Sequence, residues 1–194
     1  MRKLLFAALC IIIAQSAAAQ GRFSVKAGAN LFTAKSSNNK QLDFSQAGLG
    51  VIAGLGYELS VTKIFAVQPE LNYSIQSATE NYNGSKLKVS YVQVPVTLRA
   101  NIPNSRVVLY AGPQVNFLST AKIDPKTGAT VDAKESLNRT DFGFAFGVAH
   151  RPTKKGLLFD LRVFNGMGNV FKATYDGGPK TRPLLVSACV GLMF

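Results

Sequence analysis

The chain has 194 residues, enough for one domain and too few for two full ones. Hydrophobic residues make up 47% and charged residues 16%. That excludes a disordered chain and a coiled coil, and it argues against an ordinary soluble enzyme, where charge runs near about 25%. The formal charge is +12, from 22 Lys and Arg against 10 Asp and Glu.

The first element is a leader. Met1-Arg2-Lys3 is basic, Leu4 to Ala14 is apolar, and Ala17-Ala18-Ala19 supplies small residues for cleavage after Ala19. Residues 1–19 read as a secretory signal peptide that is removed, since the apolar run is too short to span a membrane as a helix. Cys10 lies inside that run, between Leu9 and Ile11, and so does not make a lipoprotein site. The mature chain is expected to be 20–194, a single barrel domain with one cysteine, Cys189, and therefore no internal disulfide. No later segment is apolar for long enough to form a transmembrane helix.

The mature chain has a period of two. Phe23 to Leu31 alternates apolar residues with Ser24, Lys26, Gly28 and Asn30. The same alternation recurs in Ala47–Leu59, Phe65–Gln76, Val107–Phe117, Asp141–Val148, Leu157–Val163 and Leu184–Phe194. Each reads as a strand with one apolar face. In Lys86–Ala100 the apolar parity changes, from Leu87, Val89 and Tyr91 to Val92, Val94, Val96 and Leu98. A bulge or face switch near Tyr91-Val92 is therefore expected. Pro69, Pro95 and Pro113 fall inside strands, where a missing N–H predicts bulges or local breaks in the ladder.

These are eight strands joined by seven connections that alternate long and short. The pattern predicts an all-β, eight-stranded antiparallel up-and-down transmembrane β-barrel, with short periplasmic turns, long external loops and both termini periplasmic. Strands of about 9 to 11 residues suit a tilted membrane crossing. Periodicity does not say which face points outward. The polar face is built from Gly, Ala, Ser, Asn and Gln with few charges, which suits a narrow lumen better than a wall in water. The competing architecture is a soluble lipocalin-like barrel that binds an apolar ligand inside. Phe23, Tyr57, Phe65 and Phe194 at one end and Tyr73, Phe117 and Phe142 at the other suggest two aromatic girdles.

Four phrases stand in order: Val25-Lys26-Ala27-Gly28-Ala29-Asn30-Leu31, Gln68-Pro69-Glu70-Leu71-Asn72-Tyr73-Ser74, Tyr91-Val92-Gln93-Val94-Pro95-Val96 and Tyr110-Ala111-Gly112-Pro113-Gln114. Through them the mature chain resembles the PorT-like outer-membrane β-barrel family of the Bacteroides–Flavobacterium lineage. The resemblance implies a small OmpA/OmpX-type barrel in the outer membrane and no defined activity.

The charges expected on the lumen face are Lys26, Glu58, Glu70, Arg99, Asp141, Asp160 and Arg162. Charges in so narrow a space must pair, which reads as a structural network; a gated polar path or a narrow channel for small solutes is the alternative. No catalytic set is expected. His150 sits beside a short turn with no Ser or Asp partner at suitable spacing, and Cys189 is alone. One His and one mature Cys make no metal site, and no cofactor is expected. The basic residues Lys35, Lys40, Lys122, Lys126, Lys172, Lys180 and Arg182 lie in external loops, and Arg151, Lys154 and Lys155 in a periplasmic turn, with no aromatic-interleaved stripe for nucleic acid. The expected partners are outer-membrane lipid and lipopolysaccharide, proteins meeting the external loops, and the barrel assembly machinery through the last strand ending at Phe194.

Overall fold

The computed structural model describes residues 21–35, 44–80, 84–126, 128–152, 156–172 and 181–194. The leader, residues 1–19, and Lys40, Lys154, Lys155 and Lys180 lie outside the described residues. The strands are β1 (Arg22–Lys35), β2 (Phe44–Ser60), β3 (Phe65–Thr79), β4 (Lys86–Asn101), β5 (Val107–Asp124), the two-residue β6 (Val131–Asp132), β7 (Thr140–His150), β8 (Gly156–Gly166) and β9 (Arg182–Met193). Each long strand pairs antiparallel with its sequence neighbour, β5 pairs with β7, and β1 pairs with β9. Eight strands thus close into an up-and-down barrel with no free edge, while β6 only augments the outer end of β5. The short turns at 61–64 and 102–106 lie at the end that holds both termini. Asn104 supplies the left-handed residue (φ 59°) that the second of them needs.

The apolar face points outward. Leu71, Phe146, Leu161 and Val190 are exposed along the wall, while Glu70, Arg99, Asp160 and Arg162 are buried inside. A water-soluble barrel has the opposite arrangement, so the lipocalin-like alternative is overturned: this wall is built for hydrocarbon. All seven residues named for the girdles are exposed on the wall. Phe23 pairs with Tyr57, and the Phe194 N–H donates to the Phe23 carbonyl at 2.8 Å, so three rings gather at the termini.

β5 has 18 residues. At about 3.3 Å per residue and a tilt near 40° it covers roughly 45 Å along the barrel axis, against an apolar band of about 25 Å. On the side of β2 to β5 the wall therefore continues well past the outer leaflet, and the register irregularities cluster there, whereas β7 and β8 have 11 residues each. The face switch expected near Tyr91-Val92 is not on β4. Leu87, Val89, Tyr91, Gln93, Thr97 and Arg99 all point inward with one unbroken parity. The extra residue is Ser119 on β5: Ser90 pairs with Thr120 and Tyr91 with Leu118. Beyond it the inward parity of β5 changes, from Leu118 to Ala121. The apolar residues of β4 change parity because the outer half of the lumen is itself apolar, with Leu87 and Val89 buried against Phe32 and Phe164.

The prolines break the ladder without shifting it. Pairing lapses between Pro69↔Val96 and Asn72↔Gln93, and between Pro95↔Gln114 and Leu98↔Ala111, with the register unchanged on both sides. Elsewhere neighbouring strands approach so closely that only glycine fits. A Cβ on Gly28 would lie 2.0 Å from the Ala188 carbonyl oxygen, and one on Gly112 would lie 2.0 Å from that of Val96. Such tight coiling accompanies the small radius of an eight-strand barrel.

Leu161, 56% exposed near the centre of the wall, tests the orientation. Leu161→Arg is expected to lower the unfolding free energy in lipid bilayers by about 2–4 kcal/mol, as for a cation facing the bilayer midplane. A wall facing water would show almost no change.

Candidate functional site: a stratified lumen and a basic outer rim

The lumen is layered. Near the periplasmic end lies a cluster of charges brought together from five strands and a turn, around Tyr110 of a sixth. Glu70 (β3) takes a two-pronged contact from Arg162 (β8), both N···O distances being 2.8 Å, and Lys26 (β1) at 2.9 Å. Lys26 also reaches Asp160 (β8) at 3.5 Å. Arg99 (β4) is wholly buried among three carboxylates, at 3.5 Å from Glu58 (β2), 3.9 Å from Glu70 and 3.6 Å from Asp160. Among the described residues no guanidinium N–H of Arg99 makes a hydrogen bond. Its planar cation instead lies 4.7 Å from the centre of the Tyr110 ring, with Arg162 5.1 Å from the same ring. The Tyr110 hydroxyl donates to Asp160 at 2.9 Å.

The geometry brings together Lys26, Glu58, Glu70, Arg99, Asp160 and Arg162. Asp141 stands apart, at the outer end of β7. Asn116 donates to its carboxylate at 3.3 Å, and the backbone N–H groups of Phe142 and Gly168 also donate to it. Three members of the cluster escaped the sequence reading. Tyr110 reads there only as a polar-face aromatic. Arg22 pairs with Glu58 at 2.5 Å. Arg151 reads as an exposed turn residue, yet it folds back beneath the barrel, is 7% exposed, and grips both oxygens of Glu58. Glu58 lies at the periplasmic end of β2, within reach of the turn that follows β7, which is how Arg151 comes to meet it.

Above the charges sits a layer of amides and hydroxyls. Gln68 and Asn72 donate to Glu70 at 2.9 and 3.2 Å, Asn30 and Gln76 donate to Ser74 at 3.1 Å, and Gln114 donates to Asn116 at 2.7 Å. Above that the lumen turns apolar. Phe32, Leu87, Val89, Leu118, Phe164 and Leu185 point in from the wall and meet Ala133, Leu137, Val170 and Phe171 from the loops. The loops are tied over this cluster. Leu137 pairs with Phe171, the Asn138 N–H donates to the Val170 carbonyl at 2.9 Å, and the Lys172 N–H donates to that of Ser136 at 3.0 Å. An apolar plug thus lies over a charged and hydrogen-bonded base.

The outer rim carries cations on the outward face. Lys35 stands directly opposite Arg182 across β1 and β9, and Lys88 directly opposite Lys122 across β4 and β5. All four are exposed, and the two seams lie on opposite sides of the barrel. Asp124 accepts from Lys88 at 2.6 Å. His150 is exposed at the periplasmic end, its ring 6.5 Å from that of Phe159. Cys189 is buried on the lumen face.

An apolar outer wall, a charge-paired lumen and a closed eight-strand ring define a small outer-membrane β-barrel. Residues 13–172 match the family described as outer membrane protein beta-barrel domain, and the chain belongs to that family. Its place is the bacterial outer membrane. Among solved structures it is similar to surface protein A of Neisseria (NspA), at 17% identity and a TM-score of 0.57, covering 89% of this chain and 97% of that one. It is also similar to Ail, the attachment invasion locus protein of Yersinia pestis, at 15% identity and a TM-score of 0.53, covering 90% and 99%. No curated protein sequence matches it.

Removing one hydroxyl tests the base of the lumen. Tyr110→Phe keeps the ring under both guanidiniums but leaves Asp160 without its 2.9 Å donor. We expect a loss of about 1–3 kcal/mol in unfolding free energy in detergent or bilayers, with the barrel still heat-modifiable on gels.

Proposed function

We propose that the protein is a non-catalytic, non-conducting outer-membrane barrel whose basic outer rim binds the anionic groups of the outer leaflet, above all lipopolysaccharide phosphates. The observation that carries this reading is Lys35 directly opposite Arg182 across one seam, with Lys88 opposite Lys122 across the other, where Asp124 offsets part of the charge. Like charges directly opposite on a sheet are destabilising. Both pairs stand on the outward face just beyond the apolar band: Leu184 and Val186 follow Arg182 on β9, and Phe117 precedes Lys122 on β5. Anionic headgroups at that height turn the repulsion into attraction, each cation near an anionic surface contributing about 1 kcal/mol. Ail, a barrel of the same fold, was crystallised with the heparin analogue sucrose octasulfate. For this chain the case rests on its own rim charges.

The layered lumen speaks against a solute channel, since among the described residues an apolar plug lies over an ion-paired base in a barrel just wide enough for its own side chains. The charges at Lys26, Glu58, Glu70, Arg99, Asp160 and Arg162 serve in this reading to hold the strands together, with Asp141 fastening the outer end. Residues 1–19 direct export, the final strand ending at Phe194 meets the assembly machinery, and the external loops are free to meet surface proteins. The finer kinship with PorT-like barrels rests on the four ordered phrases around Lys26, Glu70, Val94 and Gly112.

Two measurements test this. Planar bilayers holding the purified barrel should show no stepwise conductance; steady ion-sized steps would favour the channel. A variant with Lys35, Lys88, Lys122 and Arg182 all changed to Gln should lose lipopolysaccharide binding by at least a hundredfold at low salt, given about 1 kcal/mol per cation, and should keep its insertion into neutral phospholipid. Unchanged lipopolysaccharide binding would overturn the proposal.

A further inference from the structure

The charges in the base of the barrel do not balance at its periplasmic mouth. Lys26, Arg99 and Arg162 are three cations for the three carboxylates Glu58, Glu70 and Asp160. Arg22 and Arg151 come in addition, both on Glu58. Arg106 lies beside them, and its carbonyl accepts the Arg151 N–H at 2.8 Å, which fixes the two arginines side by side. Arg106 has no carboxylate within salt-bridge distance among the described residues. Arg22, Arg106 and Arg151, the three cations in excess, all line one cavity of about 380 Å³, together with Asn101 and Ser105. Ser105 and Arg106 are exposed, so the cavity is open at the mouth. Its inner wall is not saturated: Arg151 is 7% exposed, yet its Nε–H has no hydrogen-bond partner among the described residues.

Three guanidiniums facing one small cavity over a single carboxylate repel each other unless an anion joins them. Planar N–H forks fit the paired oxygens of a phosphate or carboxylate group. A buried, unpaired Arg donor needs an acceptor to offset its desolvation. We propose that this cavity binds a small oxyanion, a phosphate or carboxylate group presented from the periplasmic side. Arg106 supplies a fork, Arg151 the Nε–H that its pairing with Glu58 leaves free, and Arg22 adds positive field, while Ser105 and Asn101, hydrogen-bonded to their own neighbours, shape the rim. The cavity is large enough for such a group with a short attached chain. The site lies at the opposite end of the molecule from the basic outer rim and does not depend on it.

The test uses the full mature barrel folded in a zwitterionic detergent. The probes are inorganic phosphate and an acetylated D-Ala-D-Ala dipeptide with its carboxylate free or amidated. All are titrated at constant ionic strength against chloride, with binding read from calorimetry and from the arginine Nε–H resonances. Saturable binding is expected to perturb the Arg151 Nε–H. Arg106→Gln, an exposed change outside the Glu70–Asp160 cluster, should weaken it about tenfold, the value of one charge-assisted contact. The fourfold outer-rim variant should bind normally. Binding of phosphate alone assigns the site to phosphate groups, and binding of the free but not the amidated dipeptide assigns it to carboxylates. If neither probe saturates where chloride is inert, or if Arg106→Gln binds as tightly as the native barrel, the proposal is overturned.

Discussion

A carboxylate inside a barrel whose outer wall faces hydrocarbon has little water to turn to. Desolvating one ion costs several kcal/mol unless a partner of opposite charge and further hydrogen bonds replace the lost solvation. Glu58, Glu70 and Asp160 are all buried in the inner half of this barrel. The arrangement around them follows from that constraint. Arg162 meets Glu70 with both prongs of its fork, Lys26 bridges Glu70 and Asp160, and Arg99 sits among all three carboxylates over the face of Tyr110. The residues come from β1, β2, β3, β4, β5 and β8, on all sides of the ring. The cluster therefore ties together strands that share no backbone pairing.

The same constraint explains the change in chemistry along the lumen. Where the cations end, amides and hydroxyls take over, several of them donating to a neighbour, as Gln68 and Asn72 do to Glu70. Where no charge has to be satisfied, the interior becomes apolar, and loop residues such as Leu137 and Phe171 close it from above. The outer wall is uniform by comparison, because lipid asks only that it be apolar. Beyond the lipid the chemistry reverses again, and cations stand opposite cations at two seams.

The strands were legible because a lipid-facing wall and a filled lumen impose strict alternation, as in Phe142, Phe144 and Phe146 against Asp141, Gly143 and Ala145. The direction of the faces followed from composition, since small and neutral polar residues suit an interior. The β4 reading failed for an instructive reason. Leu87, Val89 and Tyr91 are apolar and also inward, because the outer lumen is an apolar plug, so apolar periodicity misplaced a bulge that belongs to Ser119 of β5. Lumen charges were legible as individual residues on strand faces. Their partners were less so: Arg151 follows the last residue of β7, and its inward turn onto Glu58 and Asn101 shows only in three dimensions. Tyr110 was hidden for a similar reason, since a π-face between two guanidiniums leaves no mark in periodicity.

The central claim is that charge pairing in the lumen, and not the wall alone, holds the barrel together. The most direct measurement is a double-mutant cycle on Glu70→Gln and Arg162→Met, followed by reversible unfolding in lipid bilayers. Each single change removes the two-pronged partner and unbalances the buried charges, although Glu70 keeps Lys26 and Arg162 keeps Asp160, and should cost about 3 kcal/mol, the low end for a broken buried pair. The double variant should cost clearly less than the sum, with a coupling of about 2 kcal/mol or more. Single changes that cost under about 0.5 kcal/mol, the range of ordinary surface substitutions, and that simply add in the double variant would contradict it.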